Sequence, residues 1–378
     1  MRTERSLVRA GVVGAGYWGP NLIRNLAELP GAPLVAVCDT QPERLAYVRA
    51  RYPGVRLFDS LDQMLAEPDL NAVVIATPAE THARLAEQAL EAGKHVFVEK
   101  PLATSSAAGG ELAALAEARD LVLMVGHTFL HNDAVRWVKA KIDAGDLGDV
   151  LYLYSRRLNL GQVRQDINVV WNLAPHDVSI MLYLLAERPV RVACAGHCFL
   201  QPGVEDVAFL TLEFGSSPNG GHARRAAHIH VSWLDPNKVR EVVVVGTRKM
   251  VVYDDVDADH MIQVYDKGID RIVAEAEEAD DPFRRQVESY GEFKLLLRTG
   301  DLTVPKIRFT EPLRNELAHF VECVETGRQP LTDAVNGLEV VRVLEAADES
   351  LRAGGRPVEI GWNAWNAASP PSAPVLSG

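Results

Sequence analysis

Three short segments hold the residue types that can do chemistry. The first is Gly14-Ala15-Gly16-Tyr17-Trp18-Gly19, which follows an apolar run and precedes a helical pattern. In a G-x-G-x-x-G so placed, Gly14 permits the tight turn and Gly16 lets the backbone approach a pyrophosphate. Gly19 allows close packing of helix on strand, and Tyr17 and Trp18 complete the loop. The anion then rests on free N–H groups at the helix start. Asp39 follows Gly19 by twenty residues, where a carboxylate accepts the hydroxyls of an adenosine ribose. It repels a 2′-phosphate, so NAD is expected over NADP. Arg44 is close enough in sequence to keep NADP open.

The second segment is Val98-Glu99-Lys100-Pro101, at the end of an apolar run. Ligands of open α/β sheets sit beyond the carboxyl ends of the strands. Lys100 is there either a solvated lysine or a donor to a substrate oxygen, stabilising negative charge as it develops. The third is Trp171-Asn172-Leu173-Ala174-Pro175-His176-Asp177, ahead of the apolar helical run Val178–Leu185. Pro175 suits a first helical turn, which places His176 near a helix start, about one turn after Asn172. His176 is either a structural histidine or the base that takes a proton from an alcohol.

No metal site is expected. Cys194, His197 and Cys198 lie on a strand-like stretch with no second ligand pair of zinc-like spacing. His228 and His230 alternate on another and suit a polar sheet face. The acidic run Glu275–Asp281 suits a solvated helix or loop.

The elements that must position these groups change character along the chain. Leu7–Val13, Leu34–Cys38, Ala72–Ala76, His95–Val98 and Leu121–Val125 are short apolar runs. Helical patterns at Asn21–Leu29, Arg44–Arg51, Thr81–Ala92 and Ser106–Arg119 separate them. That alternation predicts a doubly wound parallel sheet of Rossmann type, α/β in class. After about Gly126 comes a helix at Ala134–Ala144. Strand-like stretches follow at Val150–Arg157, Val190–Phe199, Val207–Phe214, Ala226–Trp233, Arg240–Val245, Met250–Asp254 and Met261–Tyr265, with turns at Ser216–Gly221 and Asp235–Lys238. Strands without intervening helices predict a largely antiparallel sheet. Helices return at Leu313–Thr326 and Ala334–Ala353. The expected domains are 1–126 for the dinucleotide and 127–361 for substrate and assembly. Residues 362–378, rich in Ala, Ser and Pro, are expected to be an unstructured tail.

Composition excludes several classes. With 378 residues and a net charge of −12, the chain can bury two cores and suits neither nucleic acid nor an anionic membrane as partner. No apolar run approaches the roughly 20 residues of a membrane helix, and the charged stretch Met1–Arg9 is not expected to act as a signal peptide. Four cysteines do not make a disulfide framework for this length, which points to a reducing cytoplasm.

The motifs GVVGAGYWG (Gly11–Gly19), ATPAETH (Ala76–His82), EKPLA (Glu99–Ala103) and NLAPHD (Asn172–Asp177) together resemble the Gfo/Idh/MocA oxidoreductases, over about residues 7–361. The resemblance implies a Rossmann domain followed by an α/β domain on a large, open, mostly antiparallel sheet. That sheet often forms an oligomer interface, so a homodimer or homotetramer is implied. It further implies Lys100 and His176 as catalytic pair, Thr77-Pro78 beside the nicotinamide, and Glu99 near its ribose. His82 and Pro101, from the same motifs, join the cofactor set. Where the family usually has aspartate this chain has Asn172, which can bond a sugar hydroxyl but cannot take a proton.

GYWGPNLIRN (Gly16–Asn25), the stretch from Asn159-Leu160-Gly161 through Asn168, and SWLDPNKVRE (Ser232–Glu241) are similar to dehydrogenases of nucleotide-linked sugars. Among these, the chain resembles UDP-N-acetylhexosamine or UDP-N-acetylhexosaminuronate 3-dehydrogenases, and deoxysugar 3-ketoreductases are also similar. Substrate contacts are then expected from Asn172, Arg156, Asn159, Arg164 and Asn168. Arg156, Arg157 and Arg164 either meet a diphosphate or carboxylate or form a solvated face. Free inositol or aldose substrates remain open, as does a ligand-sensing regulator of the same fold.

Overall fold

The computed structural model describes residues 7–31, 34–161, 163–216, 224–272 and 294–362. The first sheet holds β1 (Ala10–Val13), β2 (Leu34–Cys38), β3 (Arg56–Phe58), β4 (Ala72–Ile75), β5 (His95–Glu99) and β6 (Leu123–Gly126). All neighbours are parallel, in the order β3-β2-β1-β4-β5-β6. Strands covered on both faces must be apolar throughout, and Val73, Val74, Ile75, Val96, Phe97 and Val98 are fully buried. The strand order reverses between β1 and β4, which opens a crevice at their carboxyl ends. Helices α1 (Gly19–Glu28), α2 (Pro42–Arg51), α3 (Leu61–Leu65), α4 (Ala79–Glu91) and α5 (Ser106–Ala118) make the crossovers.

A short 3-10 helix (Thr128–His131) and α6 (Asp133–Asp143) lead into the second sheet. Its strands are β7 (Val150–Leu158), β8 (Pro189–His197), β9 (Val207–Phe214), β10 (Ala226–Ser232), β11 (Val239–Gly246), β12 (Met250–Asp254), β13 (Ile262–Ile272), β14 (Lys294–Thr303) and β15 (Val358–Glu359). The order is β14-β13-β12-β11-β7-β10-β9-β8-β15. Only β7 and β10 run parallel; every other pair is antiparallel. On the inner face, α7 (Val169–Leu185) packs Ala174, Val178 and Met181 into one core with Leu210, Ile229 and Val231.

The chain then returns to the first sheet. Helix α8 (Pro312–Thr326) buries Leu317 and Phe320 against it, with Phe320 edge-on to Phe97 at 5.8 Å. Helix α9 (Ala334–Arg352) joins both cores: Leu338 and Val341 face the Rossmann side, Val340, Val343 and Leu344 the other. Its lead-in is tied to β6, where Val125 N donates to Thr332 O at 2.7 Å and Thr332 Oγ1 to Val125 O at 2.7 Å.

Trp362 donates its Nε1 to Pro189 O at 2.8 Å, so the first residue of the expected tail is anchored. The rest of that tail, 363–378, lies outside the described residues. So do the acidic run 275–281 and the turn beyond Ser216. No described helix is long and apolar enough to cross a membrane.

One boundary departs from expectation by two helical turns. Helix α7 begins at Val169, not near Pro175. Asn168 caps it, its Oδ1 accepting from Trp171 N at 3.1 Å. Pro175 therefore lies inside the helix, and His176 sits about two turns in.

Candidate active site

The glycine loop is a backbone cradle. Gly14 has φ +94°, a conformation other residues rarely adopt, and a Cβ there would stand 2.7 Å from Ala76 O. A Cβ on Gly19 would stand 2.0 Å from Gly14 O, so these two glycines close the turn. At Gly16 the nearest atoms to an added Cβ belong to the Arg44 guanidinium, at 3.4 Å. That side chain is half-exposed and can move aside, so the cradle fits a dinucleotide pyrophosphate.

Asp39 is buried at the end of β2. Its Oδ2 accepts from Ala15 N at 2.7 Å and its Oδ1 from Gln41 N at 2.8 Å. Arg44 Nη1 lies 3.3 Å from Oδ2. The carboxylate thus braces the glycine loop, a duty that spacing alone does not reveal.

Across the crevice from the glycine loop's own strand stand the ends of β4 and β5. Thr77 and Pro78 stand at the end of β4, and Thr77 Oγ1 bonds Thr81 Oγ1 at 2.6 Å. Tyr17 is almost fully exposed, whereas Trp18 donates its Nε1 to Glu99 Oε1 at 2.7 Å. That bond joins the glycine loop to the end of β5. His82 is buried, with Nδ1 2.8 Å from Pro101 O and Nε2 2.9 Å from Thr77 O. Burial pushes its pKa below the usual histidine range. A neutral ring carries one N–H, so His82 donates to one of these two carbonyls at a time and lies wedged between the loops that follow β4 and β5.

Lys100 precedes a cis peptide to Pro101 and is half-buried. Its Nζ donates to the backbone oxygen of Asn172 at 2.9 Å, which brings the second and third sequence motifs together. Burial lowers the lysine pKa and raises that of Glu99, while each opposes the shift of the other. The charges of Arg157 and Arg164 lower Lys100 further. His176 is held well below the usual histidine range, first by burial and then by the charges of Lys100 and Arg157. Its Nδ1 is buried without a hydrogen-bond partner, and its ring meets Phe129 edge-on at 5.1 Å. A neutral imidazole beside a cationic amine can take a proton while the amine holds the oxygen that loses it.

The expected substrate residues divide. Asn172 meets Lys100 through its backbone oxygen, while its side-chain Oδ1 accepts from Trp233 Nε1 at 3.2 Å. Arg164 lies near enough for its charge to reach both Lys100 and Glu80, and it pairs with Asp166 through Nε at 2.9 Å. Arg156 is exposed and bonds Glu241 at 2.9 Å. Asn159 folds its side chain over Gly161, with Oδ1 buried and unpartnered. Asn168 is occupied as the cap of α7, and its Nδ2 donates to Glu205 at 3.1 Å and Asp348 at 3.3 Å. Arg157, grouped by sequence with the other arginines, is buried in an ion pair with Asp177 and does not face a phosphate.

Two groups nearby were not singled out by sequence. Glu316 on α8 is fully buried; one oxygen accepts from Thr128 Oγ1 at 2.7 Å and the other has no partner. Burial, then the charge of Glu99, pushes its pKa well above the carboxylate range. His127 is buried with both nitrogens unpartnered, and burial lowers its pKa to about 3. Neither lies in a local motif; only the return of α8 and the end of β6 bring them here. Among the described residues no group of three or more His, Cys, Asp or Glu is arranged to hold a metal. Cys194 is buried in the core and Cys198 is exposed.

Residues 8–127 match the family described as "Oxidoreductase family, NAD-binding Rossmann fold", and residues 135–252 the "GFO/IDH/MocA C-terminal domain". A UDP-N-acetylglucosamine 3-dehydrogenase of Acidithiobacillus ferrooxidans is 33% identical over 234 residues, covering 60% of this chain and 72% of the relative. A scyllo-inositol 2-dehydrogenase (NAD(+)) of Bacillus subtilis is 26% identical over 367 residues, covering 93% and 96%. The solved structure of GnnA, the UDP-N-acetylglucosamine 3-dehydrogenase from Acidithiobacillus ferrooxidans, shares the fold at a TM-score of 0.71 and 24% identity, covering 92% of this chain and 99% of that one. With a cradle that fits a dinucleotide and both halves matched, the chain belongs to the Gfo/Idh/MocA family and is an NAD-binding oxidoreductase.

Proposed function

We propose that this protein reversibly oxidises a secondary alcohol of a nucleotide-linked sugar, at C3, with NAD. The contact between Lys100 Nζ and the Asn172 backbone, with the charge of Lys100 acting on His176, carries this reading. NAD, when bound, supplies the hydride acceptor or donor. In the oxidation direction Lys100 holds the substrate oxygen and His176 takes its proton. Since Nδ1 is buried, Nε2 is the nitrogen that must meet the hydroxyl. The proton stays on the imidazole until solvent removes it, and the reverse reaction returns it to the ketone oxygen. Residues 1–126 hold the cofactor and residues 127–361 the substrate.

The sugar-nucleotide part rests on the relative named for UDP-N-acetylglucosamine, on Arg164 lying within electrostatic reach of Lys100, and on exposed Arg156. A free polyol is the second reading, favoured by the inositol dehydrogenase relative. The decisive test is an NADH absorbance assay with UDP-sugars, TDP-sugars, inositols and aldoses. Turnover of UDP-N-acetylhexosamines far above the others is expected. Turnover of polyols alone would overturn the substrate class, and binding without turnover would point to a regulator.

The outer face of the second sheet carries exposed Tyr152 and Phe209, the latter stacked on His230 at 4.1 Å. We infer that a second copy covers this face, in a homodimer or homotetramer. A light-scattering mass of one chain would overturn this. All four cysteines are free thiols, which supports a reducing cytoplasm.

A further inference from the structure

Strand β7 and helix α7 meet at a buried ion pair. Arg157 Nε donates to Asp177 Oδ2 at 2.7 Å, and Nη2 lies 3.4 Å from Oδ1. Arg157 is 6% exposed and Asp177 1%, so neither charge has water as an alternative partner. The guanidinium carbon lies 4.4 Å from the centre of the Phe129 ring. Phe129 in turn meets the His176 ring at 5.1 Å with the planes 67° apart. Asp177 follows His176 directly on the helix. The pair therefore grips the helical turn that carries His176, and Phe129 forms a wall between the guanidinium and the imidazole. That turn needs the grip, because Pro175 has no N–H to give to Trp171 O and the helix lacks one rung there.

We propose that Arg157, Asp177 and Phe129 form a positioning unit for His176, fixing the orientation of its ring and placing a permanent cation beside it. The proposal rests on His176 being the proton acceptor. The charged or titratable groups that act on the imidazole are Lys100 after β5, His127 after β6, Arg157 on β7 and Arg240 on β11, and every one of them disfavours its protonated form. Asp177 holds Arg157 in place and partly screens it. Removing the Arg157 charge therefore makes the imidazole easier to protonate. A base lost to protonation at higher pH moves the acidic limb of alcohol oxidation to higher pH.

Loss of Arg157 alone strands a buried carboxylate and endangers folding. The main test is the charge-free pair Arg157→Met with Asp177→Asn. Its acidic limb is expected to rise by about one pH unit, with kcat lower by about tenfold to a hundredfold and KM little changed. Titration of the His176 ring by NMR in the cofactor-free protein should move the same way. Arg157→Lys keeps the charge but not the fork; its limb should stay at the wild-type position while kcat falls. A folded double variant with an unmoved limb and ring titration overturns the proposal. If the double variant does not fold, a wild-type kcat in Arg157→Lys overturns it. Should His176→Ala retain turnover, the assignment of the base falls first. Should His176→Ala be inactive while the double variant titrates like wild type, only the positioning unit falls.

Discussion

The cofactor half and the chemical half of this site are built by different means. The glycine loop is made by backbone within one stretch of chain: Gly14 at φ +94° and Gly19 against Gly14 O. The chemical half is made by side chains from distant stretches. Lys100 meets Asn172 across 72 residues, and Arg157 meets Asp177 across 20. Thr128 meets Glu316 across 188. A backbone cradle tolerates change in most side chains as long as its turn closes. A cluster of buried charges answers to each member, because removing one alters the electrostatics of the others. Variants in the first half should therefore change binding, and variants in the second should change rate and pH dependence.

The sharpest way to break this contrast is to remove the proton-handling groups. His176→Ala and Lys100→Ala are each expected to lower turnover by about 10²–10⁴, with NAD affinity by calorimetry nearly unchanged. Near-normal turnover in His176→Ala would sink the assignment and point to another proton carrier near Lys100.

A smaller effect is expected in the cofactor half. Asp39 follows the glycine loop where a ribose-binding carboxylate is expected; with Asp39→Ser the preference for NAD over NADP should narrow by about tenfold. Because Asp39 also holds Ala15 N and Gln41 N, NAD affinity should fall somewhat while kcat at saturation stays close to wild type. A wild-type protein that binds NADP more tightly than NAD would overturn this account of Asp39.

The same contrast explains what could be read in advance. The fingerprint, the Asp39 spacing and the alternation of strand and helix are local patterns, and the parallel six-stranded sheet follows from them. The second sheet was legible as consecutive strands, but its β7–β10 parallel pair was not, since pairing partners are not encoded locally. The start of α7 was misplaced because Pro175 is a strong helix-start signal, whereas Asn168 caps the helix without a Glu or Gln three residues on. Arg157 looked like its neighbours Arg156 and Arg164. Alternation along β7 buries it and leaves Arg156 outside. Glu316 could not be placed at all before α8 was known to fold back on the first sheet.

The smallest effect tests whether the chemical half still needs a carboxylate where the family usually carries one. Asn172 gives its backbone oxygen to Lys100 and its side-chain oxygen to Trp233. Both contacts survive in Asn172→Asp, since a carboxylate accepts from Trp233 as the amide does. The new charge lies next to Lys100 and partly offsets Lys100 and Arg157, so His176 becomes somewhat easier to protonate. If Asn172 serves only to orient Trp233 and substrate, the rate of Asn172→Asp stays within about tenfold of wild type. A clear rise in rate together with a shifted pH profile would show instead that the amide has weakened proton transfer. In that case the division between a binding half and a proton-handling half would have to place position 172 with Lys100 and His176 as a third reacting group.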